Sequence, residues 1–419
     1  MTSSLKRAFV IVIDAFGCGA MPDAEAFSDS LNVNTLGSID REATSLSLPN
    51  LERLGLGHII PLKQVKAVEH PIGSYGKMAE RSIGKDTTTG HWEMAGIYLD
   101  KPFPTYPDGF PPEVVDAFLQ ATGCEKILGN IPASGTAIIE SLGAEHLETG
   151  HPIVYTSADS VWQIAAHVDK IPLDTLYLWC EKAREVLRGE HEVSRVIARP
   201  FEGEPGAFKR IGGSRKDYAV LPPTQTALTQ AKKLGAPVVA VGKIEDIFCA
   251  DGVTHSIHTN SNAHGLSVTE ELIQNTLDLN TLDLNQKTLD DYAHPDKQFI
   301  FINLVETDMN YGHRRDVEGY ARALEAIDHP LGRFIDQLGE GDLLLITADH
   351  GCDPTAPGSD HTREYVPILL YNKTLGANNL GTRESFADVG KTVLNWLELP
   401  TDSLPGTNMV DELQQLTTV

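Results

Sequence analysis

One run near the C-terminus constrains this chain more than any other: GDLLLITADHGCDPTAPGSDHT, residues 341–362. Leu343, Leu344, Leu345 and Ile346 form the continuous apolar stretch of a strand buried on both faces, as in a parallel sheet covered by helices. The run stops at Asp349 and His350. A loop punctuated by Gly351, Pro354, Pro357 and Gly358 then returns the chain to Asp360 and His361. Carboxylates and imidazoles at the carboxyl end of a buried strand stand where open α/β sheets take their ligands. The stretch reads as half of a metal site. A strand-end histidine taken alone is often only a hydrogen-bonded structural residue, so the other half must come from elsewhere in the chain.

Two further apolar runs end in the same way. AFVIVI, residues 8–13, ends at Asp14 before Gly17 and Gly19; FIFINLV, residues 299–305, ends at Glu306, Thr307 and Asp308, with His313 beyond a glycine. In a parallel sheet these three strand ends share one edge. Asp14, Asp308, His313, Asp349, His350 and His361 then supply three carboxylates and three imidazoles, more than one catalytic ion takes from protein, so two divalent ions are the natural reading. Oxygen and nitrogen donors without a thiolate suit manganese or zinc, and magnesium less well. Two adjacent cations suit phosphoryl transfer, where one activates the attacking oxygen and both neutralise the phosphoryl group.

A nucleophile is on offer in GKDTTTGHWEMAG, residues 84–96, where three consecutive threonines sit between glycines. An exposed turn would present a hydroxyl there, and a cation beside it would lower its pKa. The bland alternative is a polar turn of helix-capping hydroxyls. Spacing alone does not choose among Thr87, Thr88 and Thr89.

At 419 residues the chain can bury a substantial core in more than one domain. A formal charge of −24 opposes a nucleic-acid or anionic-membrane surface, and no protein partner is inferred. An anionic substrate would need cations and a few convergent Arg or Lys. Lys6 and Arg7 precede an apolar run too short for a signal peptide, and no stretch approaches a membrane span, which points to the cytoplasm. The five cysteines, Cys18, Cys124, Cys180, Cys249 and Cys352, lack a zinc spacing and read as free thiols.

Pro102, Pro104, Pro107, Pro111 and Pro112 crowd one stretch, and GGSRKDYAVLPP, residues 212–223, marks a second crossing. A domain of residues 99–222 is therefore inserted into a core of residues 1–98 and 223–419. It carries Ser157, Asp159 and Ser160 as polar tips, then Arg199, Arg210 and Arg215, each of which taken alone is a solvated surface residue. The α/β rhythm resumes with a helix at 224–234 and a strand ending at Lys243. His255, His258 and His264 read as a solvated loop, and TLDLN, repeated at 276–285, as a local duplication. The tail from Pro400 reads as polar surface. The fold class is α/β, a mostly parallel sheet with helices on both faces plus a smaller inserted α+β domain.

Six stretches together resemble the phosphopentomutases of the alkaline phosphatase superfamily along nearly the whole chain. They are VIDAFGCGAMPDA at 12–24, GKDTTTGHWEMAG at 84–96, YTSADSVWQIAAH at 155–167, IARPFEGEPGAFKR at 197–210, TDMNYGHRRD at 307–316 and TADHGCDPTAPGSDHTRE at 347–364. The resemblance implies an alkaline-phosphatase-like core and a nucleophilic Thr87 that carries phosphate. It implies one Mn²⁺ held by Asp308, His313 and His361, and another held by Asp14, Asp349, His350 and the Thr87 oxygen. The implied reaction interconverts ribose 1-phosphate and ribose 5-phosphate, and the deoxyribose pair, through a bisphosphate, in nucleoside catabolism and salvage. A sugar bisphosphate, glucose 1,6-bisphosphate or ribose 1,5-bisphosphate, would load the threonine. The inserted domain would cap the site, with Ser157, Asp159 and Arg199, and then Arg210 and Lys243, binding the pentose phosphate.

Aligning Gly90 and His91 with the pattern of cofactor-independent phosphoglycerate mutases favours Thr87. Those mutases use a serine in S-E-V-G-H, which this chain lacks, and no cysteine opens the C-x-P-x-R pattern of sulfatases. A non-catalytic relative would be missing a ligand or the nucleophile, and none is missing. The middle of DTTTGH and Asn310 are the small departures from the pattern.

Overall fold

A computed structural model describes residues 5–157, 160–284 and 286–416. It divides into two compact units, Met1–Lys101 with Pro222–Val419, and Pro102–Leu221. Asp159 and Asn285 lie outside the described residues.

The first unit is built on the strand Lys6–Ile13, buried at every position after Lys6. It pairs in parallel with Lys297–Leu304 on one side and Asp342–Thr347 on the other. Val238–Val241 and then His255–Ile257 extend the parallel block beyond Lys297–Leu304. Strands so uniformly apolar are stable only with both faces covered, and adjacent residues show what covers them. Lys6 Nζ reaches Glu398 at 2.6 Å and lies 5.4 Å from the Trp396 ring, at the end of helix Asp388–Trp396. Arg7 donates to the Leu272 and Ile273 carbonyls of helix Asn262–Gln274, at 2.7 and 3.2 Å, and forks onto Asp342 at 2.7 and 2.8 Å. Successive strand residues point to opposite faces, so the two helices cover opposite faces of the sheet.

Beyond Asp342–Thr347 the sheet turns antiparallel through Val366–Tyr371 and Ser74–Met78, then adds Asn379–Arg383 parallel to Ser74–Met78. Two expectations need correction. His255 lies in an edge strand and is fully buried, with Nδ1 2.8 Å from Thr254 Oγ1, so it is not part of a solvated loop. The tail is not simply polar surface: Met409–Leu416 is a helix that buries Met409, Val410 and Leu413.

The second unit has its own sheet, running Leu128–Pro132, Ile153–Thr156, Val161–His167, Arg195–Glu202 and Lys209–Arg210, with Lys216–Ala219 also paired to Arg195–Glu202. One core gathers Phe118 of helix Pro112–Thr122, Trp179 of helix Leu173–Val186 and Trp162. Another gathers Ile138 and Ile139 of helix Gly135–Thr149 with Tyr155 and Phe201. Tyr155 and Trp162 belong to neighbouring antiparallel strands, and the two cores lie on the two faces of that sheet.

Candidate metal centre

Asp14 follows Lys6–Ile13, Asp349 follows Asp342–Thr347, and Asp308 follows Lys297–Leu304, so adjacent parallel strands bring the three acids to one sheet edge. Local backbone then aims them. Thr307–Gly312 is a π-helical turn, a form concentrated at functional sites. It returns His313 so that Nε2 lies 3.3 Å from Asp308 Oδ2. Thr307 Oγ1 donates to the Asp14 carbonyl at 2.7 Å, joining two strand ends. Ala15 has φ 65°, in the left-handed region that a residue with a Cβ rarely adopts. That turn directs its N–H onto Asp349 Oδ1 at 3.0 Å, and the Tyr320 hydroxyl donates to its carbonyl at 2.9 Å.

The threonine run is not the exposed turn expected from the sequence. Thr87–Met94 is a helix whose N-cap, Asp86, accepts from the Thr88 and Thr89 N–H groups. Thr89 is buried and donates its hydroxyl to Asp86 Oδ2 at 2.5 Å, and Thr88 is 7% exposed. Thr87, half-buried in the first turn, places Oγ1 3.2 Å from His350 Nε2. Only glycine permits this approach: a Cβ at Gly90 would stand 2.1 Å from the Asp349 carbonyl oxygen.

The donor atoms form two overlapping groups, for His350 also lies within reach of Asp308 and His361, its ring 4.0 Å from that of His361. His350 Nε2 lies 3.5 Å from Asp14 Oδ1, 3.4 Å from Asp349 Oδ2 and 3.2 Å from Thr87 Oγ1. His361 Nε2 lies 3.4 Å from Asp308 Oδ1 and 3.1 Å from His313 Nε2. Tetrahedral ligands at about 2.1 Å from one cation are about 3.4 Å apart, so the spacing fits. Asp14 Oδ1, Asp308 Oδ1 and Asp349 Oδ2 are buried and accept no hydrogen bond among the described residues. Buried polar atoms are normally paired, and each of these faces an imidazole nitrogen instead. His313 Nδ1 lies 2.6 Å from the Ser359 carbonyl oxygen, and His350 Nδ1 lies 3.1 Å from that of Gly351. A carbonyl can only accept, so Nδ1 carries a proton and Nε2 is the nitrogen that offers its lone pair to the site once it is deprotonated. A cation between the lone pairs satisfies both sides.

Charge tells the same story. Burial, with Asp349 and Asp308 adding repulsion, raises Asp14 well above the usual carboxylate range. Burial also pushes Asp349 up, but His350 and His91 outweigh it and leave it at about 2. Asp308 is likewise held well below its usual range, with His361 and His313 overcoming burial. Two ionised acids beside a third that resists ionising make an excess of negative charge that a divalent cation relieves. Cys352 also adjoins Asp308 and His313, but burial raises its thiol and keeps it protonated.

Lys243 lies just past strand Val238–Val241 in this unit, close enough to favour the ionised form of Asp14. Ser157, Arg199 and Arg210 belong to the second unit. Ser157 and Arg199 line a cavity of 290 Å³ with Gln163, Arg195 and Arg215. A second cavity, of 660 Å³, shares Arg199 and Arg215 and adds Lys209 and Arg210. Arg215 is neutralised by a fork onto Asp217, whereas Arg199 Nε donates at 3.1 Å to an uncharged amide, that of Gln163. Burial and the nearby Arg215 press Arg199 below its usual pKa, so an anion there would be welcome. Arg195, Gln163, His91, Asn303 and Arg363 had no place in the sequence-derived site. For the two arginines nothing but surface charge was visible, whereas an amide inside the apolar run FIFINLV was a readable signal.

The chain matches the Metalloenzyme superfamily model over residues 6–401. It is 53% identical over 390 residues to a phosphopentomutase of Caldanaerobacter subterraneus subsp. tengcongensis, covering 93% of each chain. A phosphopentomutase of Anaeromyxobacter sp. is 49% identical over 408 residues, 97% of this chain and 99% of that one. That of Acetivibrio thermocellus is 51% identical over 394 residues, 94% and 96% of the two chains. Among the described residues no helix is long and apolar enough to cross a membrane.

Proposed function

This chain belongs to the phosphopentomutase family within the Metalloenzyme superfamily, and from that premise we propose that it interconverts ribose 1-phosphate and ribose 5-phosphate, and the 2-deoxyribose pair, through a phosphate carried on Thr87. One observation carries the proposal. Of three consecutive threonines, Thr87 turns its hydroxyl to the donor cluster, 3.2 Å from His350 Nε2, while Thr89 spends its own on Asp86.

Asp14, Asp349, His350 and the Thr87 oxygen would hold one Mn²⁺, and Asp308, His313 and His361 a second. Bound there, the cations supply positive charge that favours the ionised threonine oxygen and neutralises phosphoryl oxygens. Thr87 is loaded from a sugar bisphosphate, glucose 1,6-bisphosphate or ribose 1,5-bisphosphate, as its Oγ bonds to phosphorus and the sugar oxygen leaves. Phospho-Thr87 then passes the group to the free C1 or C5 oxygen of the pentose monophosphate, whose hydroxyl proton is released. The resulting 1,5-bisphosphate returns its other phosphoryl group to Thr87, and the isomer departs. Lys243 offers its charge to a phosphate at the sheet edge. In the second unit Arg199, Arg210 and Ser157 would bind the distal phosphate and sugar, joined by Asp159. That inserted region, residues 99–222, would act as a cap that keeps water from the phosphothreonine. Pentose phosphates are then the partners, and cytoplasmic nucleoside catabolism and salvage the setting.

A ³¹P NMR time course with Mn²⁺, a trace of sugar bisphosphate and ribose 1-phosphate tests the proposal. The expected result is conversion to ribose 5-phosphate without inorganic phosphate. Accumulating inorganic phosphate would make the site a phosphatase, and an unchanged spectrum would overturn the substrate assignment.

A further inference from the structure

Asn303 interrupts the apolar core of strand Lys297–Leu304 and is only 2% exposed. Its Nδ2 lies 2.9 Å from Asp14 Oδ2 and 3.2 Å from His91 Nε2. His91 is completely buried, and its Nδ1 lies 2.8 Å from the Thr87 carbonyl oxygen and 3.3 Å from Asp349 Oδ2, an oxygen of the same cation site.

Counting protons fixes every role in this chain of contacts. A carbonyl oxygen can only accept, so His91 Nδ1 carries a hydrogen, and Nε2 is the ring nitrogen left to accept from Asn303. Asn303 Nδ2 donates one hydrogen to that nitrogen and its other to the Asp14 carboxylate. Asn303 Oδ1 is buried and accepts nothing among the described residues. Reversing the amide would put its two hydrogens at the buried position where Oδ1 finds no partner, so the orientation that spends both hydrogens is the one the site favours. With Oδ2 engaged by Asn303, Asp14 is left to present Oδ1, the oxygen that faces His350 Nε2.

We infer that Asn303 and His91 are positioning residues that tie the backbone of Thr87 to Asp14 and thereby set the affinity of the cation site those two residues share. The inference rests on the assignment of Thr87 and Asp14 to one site made above. Hydrogen-bond partners behind metal ligands fix ligand orientation, and losing one typically costs about 10–100-fold in metal affinity. Asn303 holds the carboxylate, and His91 holds the amide against the first turn of the nucleophile's helix.

The test is a Mn²⁺ titration of the metal-stripped full chain without substrate, followed by electron paramagnetic resonance. Wild type must show two binding steps; fewer would break the two-cation assignment without touching the tie itself. Asn303→Leu, similar in size but without donors, is expected to weaken one step about 10–100-fold and leave the other unchanged. His361→Ala in parallel should weaken the opposite step, which identifies the sites. His91→Phe should reproduce the Asn303→Leu defect, and His91→Gln, which keeps an acceptor at the reach of Nε2, should recover part of it. In turnover, kcat should fall in Asn303→Leu while KM for ribose 1-phosphate holds. Wild-type affinity at both steps, or equal weakening of both, overturns the inference. Asn303→Asp, isosteric but facing Asp14 with an acceptor, gives the same readout if the leucine variant does not fold.

Discussion

Thr87 Oγ1 and His350 Nε2 stand 3.2 Å apart although 263 positions separate them in the chain. The contact exists because the Thr87–Met94 helix starts against the end of strand Asp342–Thr347, with Gly90 on the Asp349 carbonyl. Thr87→Ala removes one hydroxyl from the half-buried first turn and leaves the Asp86 cap intact. We predict wild-type thermal stability and two bound Mn²⁺, the Thr87-side ion somewhat weaker, with mutase turnover abolished. Turnover close to wild type would show that another hydroxyl carries the phosphate. Thr89→Ala is the contrast: it breaks the hydroxyl bond to Asp86 and should cost about 1 kcal/mol of stability.

His361 has its Nε2 3.4 Å from Asp308 and 3.1 Å from His313. His361→Ala should weaken one cation selectively, by about 10–100-fold or more, as loss of a direct ligand exceeds loss of a supporting contact. Calorimetric titration with Mn²⁺ reads this directly. Unchanged stoichiometry and affinity would remove His361 from the ligand set.

Cation binding should depend on pH with a definite sign. Burial and its acid neighbours raise Asp14, and the hydrogen bond that His313 donates to Asp308 raises His313, so both favour their protonated forms before a cation arrives. Ligands bind metal deprotonated. Affinity should therefore climb as pH rises toward and through the raised His313 value, and binding should release protons. Titrations in buffers of different ionisation enthalpy count them; a pH-independent affinity with no proton release would contradict the charge arrangement.

In the second unit Arg199 Nε donates to the uncharged Gln163 amide, and Arg199 lines both cavities. If it binds the distal phosphate, Arg199→Ala should raise KM with a smaller effect on kcat. Loss of one hydrogen bond to a charged group, about 1.5–3 kcal/mol, corresponds to roughly 10–100-fold in kcat/KM. An unchanged KM would move the phosphate elsewhere.

What the sequence revealed and what it hid follow one physical division. Strands buried on both faces announce themselves as unbroken apolar runs, so the ends at Asp14, Asp308 and Asp349 were readable, and parallel order put them on one edge. Ser74–Met78, alternately buried, and Asn379–Arg383, mostly exposed, are glycine-containing outer strands whose composition matches a loop. Helix Met409–Leu416 buries Met409, Val410 and Leu413 from a polar tail, a face too short for periodicity to expose. The threonine run was read as a turn because β-branched, polar residues carry weak helix propensity, and the Asp86 cap that starts the helix outweighs it.

Arg363 shows how far the site depends on residues that never meet a cation. Its guanidinium reaches Glu80 Oε2 at 2.7 Å, the Glu80, Ser82 and Gly84 carbonyls at 2.7, 2.9 and 2.6 Å, and Asp23 at 3.0 Å, and it stacks over Phe27 at 4.5 Å. One planar fork thus shapes the segment that leads into Thr87, a geometry no lysine reproduces. Arg363→Gln leaves Glu80 buried without its counter-charge and should cost about 3–5 kcal/mol. The pH dependence supplies the check. Burial already raises Glu80 well above its usual value, with Arg363 opposing the rise. Without Arg363 the folded-state value climbs further, so Glu80 takes up a proton on folding. A raised carboxyl stabilises fully below its unfolded pKa of about 4.3 and loses that contribution as pH rises through the folded value. The deficit of Arg363→Gln relative to wild type should therefore be smaller at pH ~5 than at pH ~8 in urea denaturation. Adding Glu80→Gln should recover part of it at pH ~8, since the double variant buries no unpaired charge. A deficit equal at both pH values and indifferent to Glu80→Gln would mean that the lost carbonyl contacts, not the stranded carboxylate, set the cost.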